Sequence, residues 1–350
     1  MKKINNRLKG LRQGQRKPSI NDFLTGSGLP RRMELQQVHS DVVAQHLGTK
    51  VVGENQLIRW FSGIGPRMSP ESLVYLSDEM YADFLTGTNS TVITTASLLD
   101  ALPDTCTGIV VDSDPKGHWG SLLQILKNQR EKFPSFIHPT AYVHKSATIG
   151  AEVYLDSNTR IHENVVLRGP LYVGPNSVIG PGSVIGNDGF ELASIGGKRV
   201  SLAHLGGVWL SSDVELHANN VIDKALDGSF TFVGAGSKIE NLVHIAHAAV
   251  IGKECVIVAC AEISGSSVIG DHVWLAPNCT VTNGVQIGSH SMIGIGAVVL
   301  KDVSQNSIIF GHHKLIGYQC SCRRRLTKED IGRRCQCGFV WEGPGHKPDD

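Results

Sequence analysis

The chain has 350 residues, with 33 Lys and Arg against 32 Asp and Glu and a formal charge of +1. That balance excludes a globally basic nucleic-acid binder, and no apolar run approaches the roughly 18–20 residues needed to cross a bilayer. No signal-peptide core follows the first charges, so a cytoplasmic location is expected.

Residues 1–33 carry Lys2, Lys3, Arg7, Lys9, Arg12, Arg16 and Lys17 with no acid before Asp22. They read as a basic, disordered tail, or else as a tether to a surface or nucleic acid. Residues 34–133 read as an α/β domain. Leu35, Val38, Val42 and Leu47 share one helical face, with Gly48 as its C-cap. Short strands are expected at Lys50–Val52, Ser72–Leu76, Thr91–Thr94 and Gly108–Val111. A helix is expected over Ser121–Lys132, capped by Ser121 and closed ahead of Pro134.

Residues 137–303 follow a different rule. Aliphatic residues recur every six positions, first from Ile137 through Val143, Ile149 and Leu155 to Ile185, then from Val233 through Ile239 and Ile245 to Val299. Four residues after many of them the side chain is small: Ala141, Ala147, Ser177, Ser183, Ala249, Ala261, Ser267, Ala297. Neither the 3.6 period of a helix nor the 2.0 period of an ordinary strand does this. A hexapeptide repeat marks a parallel β-helix, in which three short strands make one coil and each coil is stabilised by its neighbours. The period fails once, between Gly186 and Phe232. Val208 and Val214 keep the step there, so Asn187–Gly207 and Asn220–Phe232 are expected to be loops expelled from the coil, where function tends to sit.

Residues 304–350 form a Cys-containing extension. Cys320, Cys322, Cys335 and Cys337 make two C-x-C pairs twelve residues apart. Two close pairs of thiolates suit a tetrahedral structural zinc, and disulfides or free thiols are the competing reading. Cys255 and Cys279 fall at the small corner position and read as packing residues.

Hexapeptide repeats specify, as a class, the left-handed β-helix of acyltransferases, and three stretches narrow the class. They are Gly186-Asn187-Asp188-Gly189-Phe190, Val214 to Asp223, and Ile239-Glu240-Asn241-Leu242-Val243-His244-Ile245-Ala246-His247. Together they resemble the UDP-3-O-acylglucosamine N-acyltransferases of lipid A synthesis. The resemblance implies that His247 is the catalytic base and that Asp188 and Asn241 contact the sugar; turn stabilisation is the alternative for those two. Leu73 to Tyr81 is similar to the strand and turn that clasp uracil in that family. Tyr75 and Tyr81 would stack on the base with Asp78 nearby; a core role is the alternative for the two tyrosines. The family's second histidine has no counterpart in Thr282–Ile287, and its C-terminal helices are absent. Val273–Val303 instead resembles small nucleotide-sugar acetyltransferases that use acetyl-CoA.

N-acylation needs a base, a donor for the thioester oxyanion, and fixed substrates. A histidine suits the first because it titrates near neutrality. Three hexapeptides make a coil of eighteen residues, so Gly265 should lie beside His247 one coil on, about 4.8 Å along the axis. Asn283 follows in the same column. A glycine there leaves its N–H approachable, and the resemblance independently assigns the oxyanion role to this position. His204 and His217 flank the loops and read as surface residues or substrate contacts.

The expected activity is transfer of an acyl group from acyl-CoA or an acyl carrier protein to the amine of a UDP- or dTDP-linked amino sugar. No redox or hydride cofactor is required. The resemblance implies a homotrimer with its sites between neighbouring prisms. Two alternatives are kept: acylation of UDP-3-O-acylglucosamine from acyl carrier protein, and a carbonic-anhydrase-type zinc lyase built on His217, His244 and His247.

Overall fold

The computed structural model describes residues 19–23, 29–35, 38–64, 68–195, 197–312, 314–322 and 324–343; the basic run from Lys2 to Lys17 lies outside them. Their contacts divide into two units. One holds the described residues up to Pro134 together with Asp188–Gly206 and Ala225–Ser229. The other holds Ser135–Asn187, Gly207–Lys224 and the described residues from Phe230 onward.

The second unit is a left-handed β-helix. Three sheets run along it, two of eight strands and one of eleven, and along most of each the neighbouring strands are three apart in the chain. The period is the cause. Ile245, Ile263, Val281 and Val299 stand in parallel register eighteen residues apart and are buried within one continuous core. The small residues between them, such as Ala249, Ala261, Ser267 and Ala297, are also sealed from solvent. Corners place ordinary L-residues in the left-handed region: Leu242, Cys260 and Asn278, successive in one column, have φ of 61°, 60° and 55°. Cys255 and Cys279 fill corners as expected, and burial pushes both thiols up to about 12.

The interrupted region corrects the reading of Val208 and Val214. The residues that continue the inward ladder are Leu210, between Val173 and Val233, Leu216, between Ile179 and Ile239, and Ile222, between Ile185 and Ile245. Val208 is buried too, but two residues earlier on the same strand, because inward positions there alternate. Val214 occupies a corner place, four residues after Leu210. A whole coil therefore survives where the sequence reading left a pair of sides. The second expected loop is shorter for the same reason: Val221–Asp223 and Phe230–Val233 are coil strands. The repeat also runs past Val303, since Ile309 pairs with Ile293 in Ser307–Phe310.

The first unit is built on a five-stranded sheet. Trp60–Phe61, Ser72–Tyr75, Thr91–Thr94 and Thr107–Val110 are parallel, and Val51–Val52 runs antiparallel at one edge. The first helix is Ser40–His46, shorter than the apolar spacing implied, because Val38–His39 is extended and pairs with Leu57–Ile58. The second helix spans Pro115–Leu126, six residues ahead of the expected start. Its N-cap is Asp114, whose side chain accepts from the Gly117 N–H, and Pro115 opens the first turn. Ser121 lies inside the helix and bonds the His118 carbonyl. Trp119 is the centre of this core, stacked on Phe61 at 4.1 Å and met edge-on by Tyr75 at 5.2 Å.

Both excursions from the coils belong to this unit. The first folds as an antiparallel hairpin, Leu192–Ile195 with Lys198–Ser201, and Ala193, Leu202, Ala203 and Leu205 join the Trp119 core. The core also reaches back before residue 34: Phe23 is fully buried against Phe133 at 4.9 Å, and Arg31 pairs with Glu131. The described end of the expected tail is therefore ordered. Among the described residues no helix is long and apolar enough to cross a membrane.

Candidate active site

His247 follows the strand His244–Ile245 and sits half-buried at a corner of its coil. The glycine at position 265 meets it there. A Cβ built on Gly265 would lie 2.5 Å from His247 Nε2, 2.6 Å from its Cε1 and 3.0 Å from Asn283 Oδ1. The imidazole thus spans the gap to the next coil and occupies the space that any larger residue at 265 would need. His247, Gly265 and Asn283 form one column, as the eighteen-residue spacing requires.

The backbone at this corner is equally informative. At four equivalent places in other repeats the N–H is taken by a side chain of a neighbouring coil. Ala218 N–H bonds Asn241 Oδ1 at 2.9 Å, Lys253 N–H bonds Asp271 Oδ1 at 2.7 Å, and Asp271 N–H bonds Ser289 Oγ at 3.0 Å. Ala259 N–H bonds Glu240 Oε2 at 3.2 Å. Among the described residues no side chain caps the Gly265 N–H in this way. A buried amide left open beside an imidazole is suited to an incoming oxyanion.

One step before the corner, His244 is held very differently. Its Nε2–H donates to Asp223 Oδ2 at 3.1 Å and its Nδ1–H to the Glu262 carboxylate at 2.9–3.0 Å. The bond to Asp223, then that to Glu262, raises its pKa to about 10, so it is an imidazolium at neutrality. Both ring nitrogens are therefore occupied, which removes the metal ligand that the zinc-lyase alternative requires. His217 stands apart from them, half exposed beside Glu215 at 3.5 Å. His204, read as a surface residue, is buried in the first unit, with Nδ1 3.2 Å from the Leu202 carbonyl. His290 stacks on His272 at 4.8 Å.

Asn241 braces a coil through the Ala218 N–H, and Asp78 caps the turn Glu79–Leu85 by accepting from the Met80 N–H. Turn stabilisation is thus an observed role for both. Gly186 opens the Asp188 loop with φ +85°, and a Cβ there would strike the Arg168 carbonyl, so only glycine fits. Asp188 is exposed, and it lies in the same unit as Tyr75 and Tyr81. Tyr75 packs partly into the core, and burial pushes its phenol above the ordinary value, with Lys116 opposing; Lys116 is itself paired to Glu191 of the hairpin excursion. Tyr81 is 46% exposed on the adjoining turn, beside exposed Met80 and Phe84. The Lys116–Glu191 pair had no signal in the sequence, since its members are 75 residues apart.

The tail brings its four cysteines together. Their ligand atoms lie within 4.8 Å of one another, with Cys320–Cys337 at 3.2 Å, Cys320–Cys322 at 3.5 Å and Cys322–Cys335 at 3.7 Å. Sulfurs bound at about 2.3 Å around a tetrahedral ion are about 3.8 Å apart, so the group fits a metal. The Cys337 backbone N–H, then the Arg324 guanidinium, draws the Cys335 thiol down to about 6.

A left-handed β-helix built on hexapeptide repeats places the chain among the hexapeptide-repeat transferases. The bacterial transferase hexapeptide family (six repeats) matches residues 152–187 and 266–301. A UDP-3-O-acylglucosamine N-acyltransferase from Delftia acidovorans is 30% identical over 281 residues, covering 76% of this chain and 83% of that protein. The chain belongs to the UDP-3-O-acylglucosamine N-acyltransferase family. A relative of the same name from Methylorubrum extorquens strain PA1 is 38% identical over 135 residues; that match spans 39% of this chain and only 38% of the relative. A solved UDP-N-acetylglucosamine acyltransferase aligns with a TM-score of 0.42 at 26% identity, covering 51% of this chain and 71% of that one.

Proposed function

We propose that this chain transfers an acyl group from a thioester donor to the amine of a nucleotide-linked amino sugar, with His247 as general base. The observation that carries the reading is the corner column: an imidazole laid over a glycine whose N–H no side chain caps among the described residues. His247 accepts the proton as the amine attacks the thioester carbon. The carbonyl oxygen gathers charge and takes a hydrogen bond from Gly265 N–H, and collapse of the adduct expels the thiolate. The relatives are UDP-3-O-acylglucosamine N-acyltransferases, which favours UDP-3-O-acylglucosamine as acceptor over a generic UDP- or dTDP-amino sugar. Tyr75 and Tyr81 would hold the nucleobase, and Asp188 and Asn241 the sugar. Homotrimeric assembly follows from the family resemblance.

Cys320, Cys322, Cys335 and Cys337 would hold one zinc ion. Four thiolates close its coordination, so when bound it crosslinks the tail and leaves no position for chemistry. The test of the main reading is a thiol-release assay with acyl-CoA and acyl carrier protein donors against UDP-3-O-acylglucosamine and other nucleotide amino sugars. Release that depends on the amino sugar and disappears in His247→Ala supports it. Release unaffected by the acceptor or by that change rejects it.

A further inference from the structure

We propose that Glu262, fixed by His244 and the buried Asp223, is the anionic subsite that receives the acceptor's ammonium group. The inference rests on the acyl-transfer reading above and names the part of the site that selects an amine.

The argument begins with register. His244 pairs with Val221 on one side and with Glu262 on the other, so the cluster crosses three successive coils of one sheet. His244 stands three residues before His247, and Glu262 three residues before Gly265. The Glu262 side chain reaches back to His244, while the His247 side chain reaches forward over Gly265. Both therefore lie over the strip between the same two coils.

A second link ties Asp223 to that corner. The Thr231 hydroxyl donates to the Asp223 carbonyl and accepts from the N–H of Ala248, the residue after His247, at 2.8 Å.

Charge and burial then assign the parts. The Asp223 side chain is only 8% exposed, and its Oδ1 is buried with no hydrogen-bond partner. A carboxylate kept in that state is costly, and its one strong contact is His244. Its service is to hold His244 doubly protonated. The imidazolium in turn spends its other N–H on Glu262, which is 41% exposed and keeps its outer lone pairs toward solvent. Two carboxylates thus flank one imidazolium, on a sheet whose neighbouring outward residues are Val221, Thr280 and Val298. An amino sugar arrives as an ammonium ion; a sugar hydroxyl carries no charge. Glu262 accepts one N–H of the arriving ammonium; loss of a proton to solvent frees the nitrogen lone pair, and His247 takes the next proton as the amine attacks the thioester carbon. Asp223 and His244 are positioning residues in this scheme.

The experiment measures affinity of the whole protein for a UDP-linked amino sugar and for its counterpart with hydroxyl in place of amine, by titration calorimetry. Glu262→Gln is expected to weaken the amine three- to tenfold, roughly the scale of one partly screened ion pair, and to leave the hydroxyl sugar within about twofold. Asp223→Asn should act in the same direction. By NMR the His244 ring should remain protonated from pH 5 to 8 in the parent and titrate near about 6.5 once both carboxylates are removed. Equal weakening of both sugars, or of neither, overturns the proposal while leaving the acyl-transfer reading standing. A parent protein that binds neither sugar overturns that reading, and this inference with it.

Discussion

The corner at His247 and the cysteine tail both gather side chains at short range, by opposite means. At the corner the partners are eighteen residues apart and meet because stacked coils hold them in register. In the tail two close pairs fold onto each other, and one ligand belongs to the local core: Cys320 is buried with Leu326 and Trp341, and Cys335 packs against them. A site hung on a solenoid can be altered without cost to the fold, because the inward ladder does not pass through it. A site with a ligand inside its local core cannot. The two regions should therefore respond in opposite ways to the same kind of injury.

The largest effect is expected at the base. His247→Ala should lower the acyl-transfer rate by about 10²–10⁴, the range for one acid–base group, with the melting temperature moving by no more than a few degrees. Steady-state kinetics and calorimetry on the same sample would check both halves, and a large fall in melting temperature would break the contrast.

Gly265→Ala comes next. Its new methyl would sit 2.5 Å from His247 Nε2, and the yielding partner is the tip of a side chain. The imidazole should be displaced while the coil stays intact, with a rate loss of about 10²–10³ from a misplaced base and a crowded oxyanion donor.

The tail should behave in reverse. In the Cys335→Ser/Cys337→Ser double mutant, metal analysis should find the zinc gone and Trp341 fluorescence should report a loosened tail, while turnover stays within a few-fold. Loss of turnover with the β-helix intact would join the two regions into one mechanism.

The smallest effect is on pH dependence. His244 titrates near 10 in the folded chain against an ordinary value near 6.5, so the stability it confers is complete below about 6.5 and is lost as pH rises toward about 10. Denaturant midpoints measured across that window should decline in the parent and less so in His244→Gln.

The contrast also explains what could be read without coordinates. The inward ladder was legible because each aliphatic repeats at six, and Gly265 because eighteen residues make a coil. The same arithmetic reaches Glu262 from His244. Asp223 escaped it, since the excursion before residue 230 sets it 21 residues from His244. Off the solenoid the local signals competed. Ser121 and Asp114 both look like caps, and only the second is followed by the proline that opens a helix. The phase error at Val208 arose because inward and outward places alternate every second residue, so two aliphatics on one strand both satisfy the pattern.

One further consequence belongs to synthesis. The Trp119 core is assembled from residues between Leu35 and Leu126 and from two later pieces, Ala193 to Leu205 and Leu226. A growing chain emerges from the ribosome in order, and domains usually fold as they appear. Here the first unit cannot close its core until the stretch that ends at Ser229 has been made, by which time the opening coils of the β-helix are already available to stack. Translation thus delivers the solenoid's first coils before the first unit is complete, and a chain stopped short of Ser229 would leave Trp119 and its sheet without part of their cover.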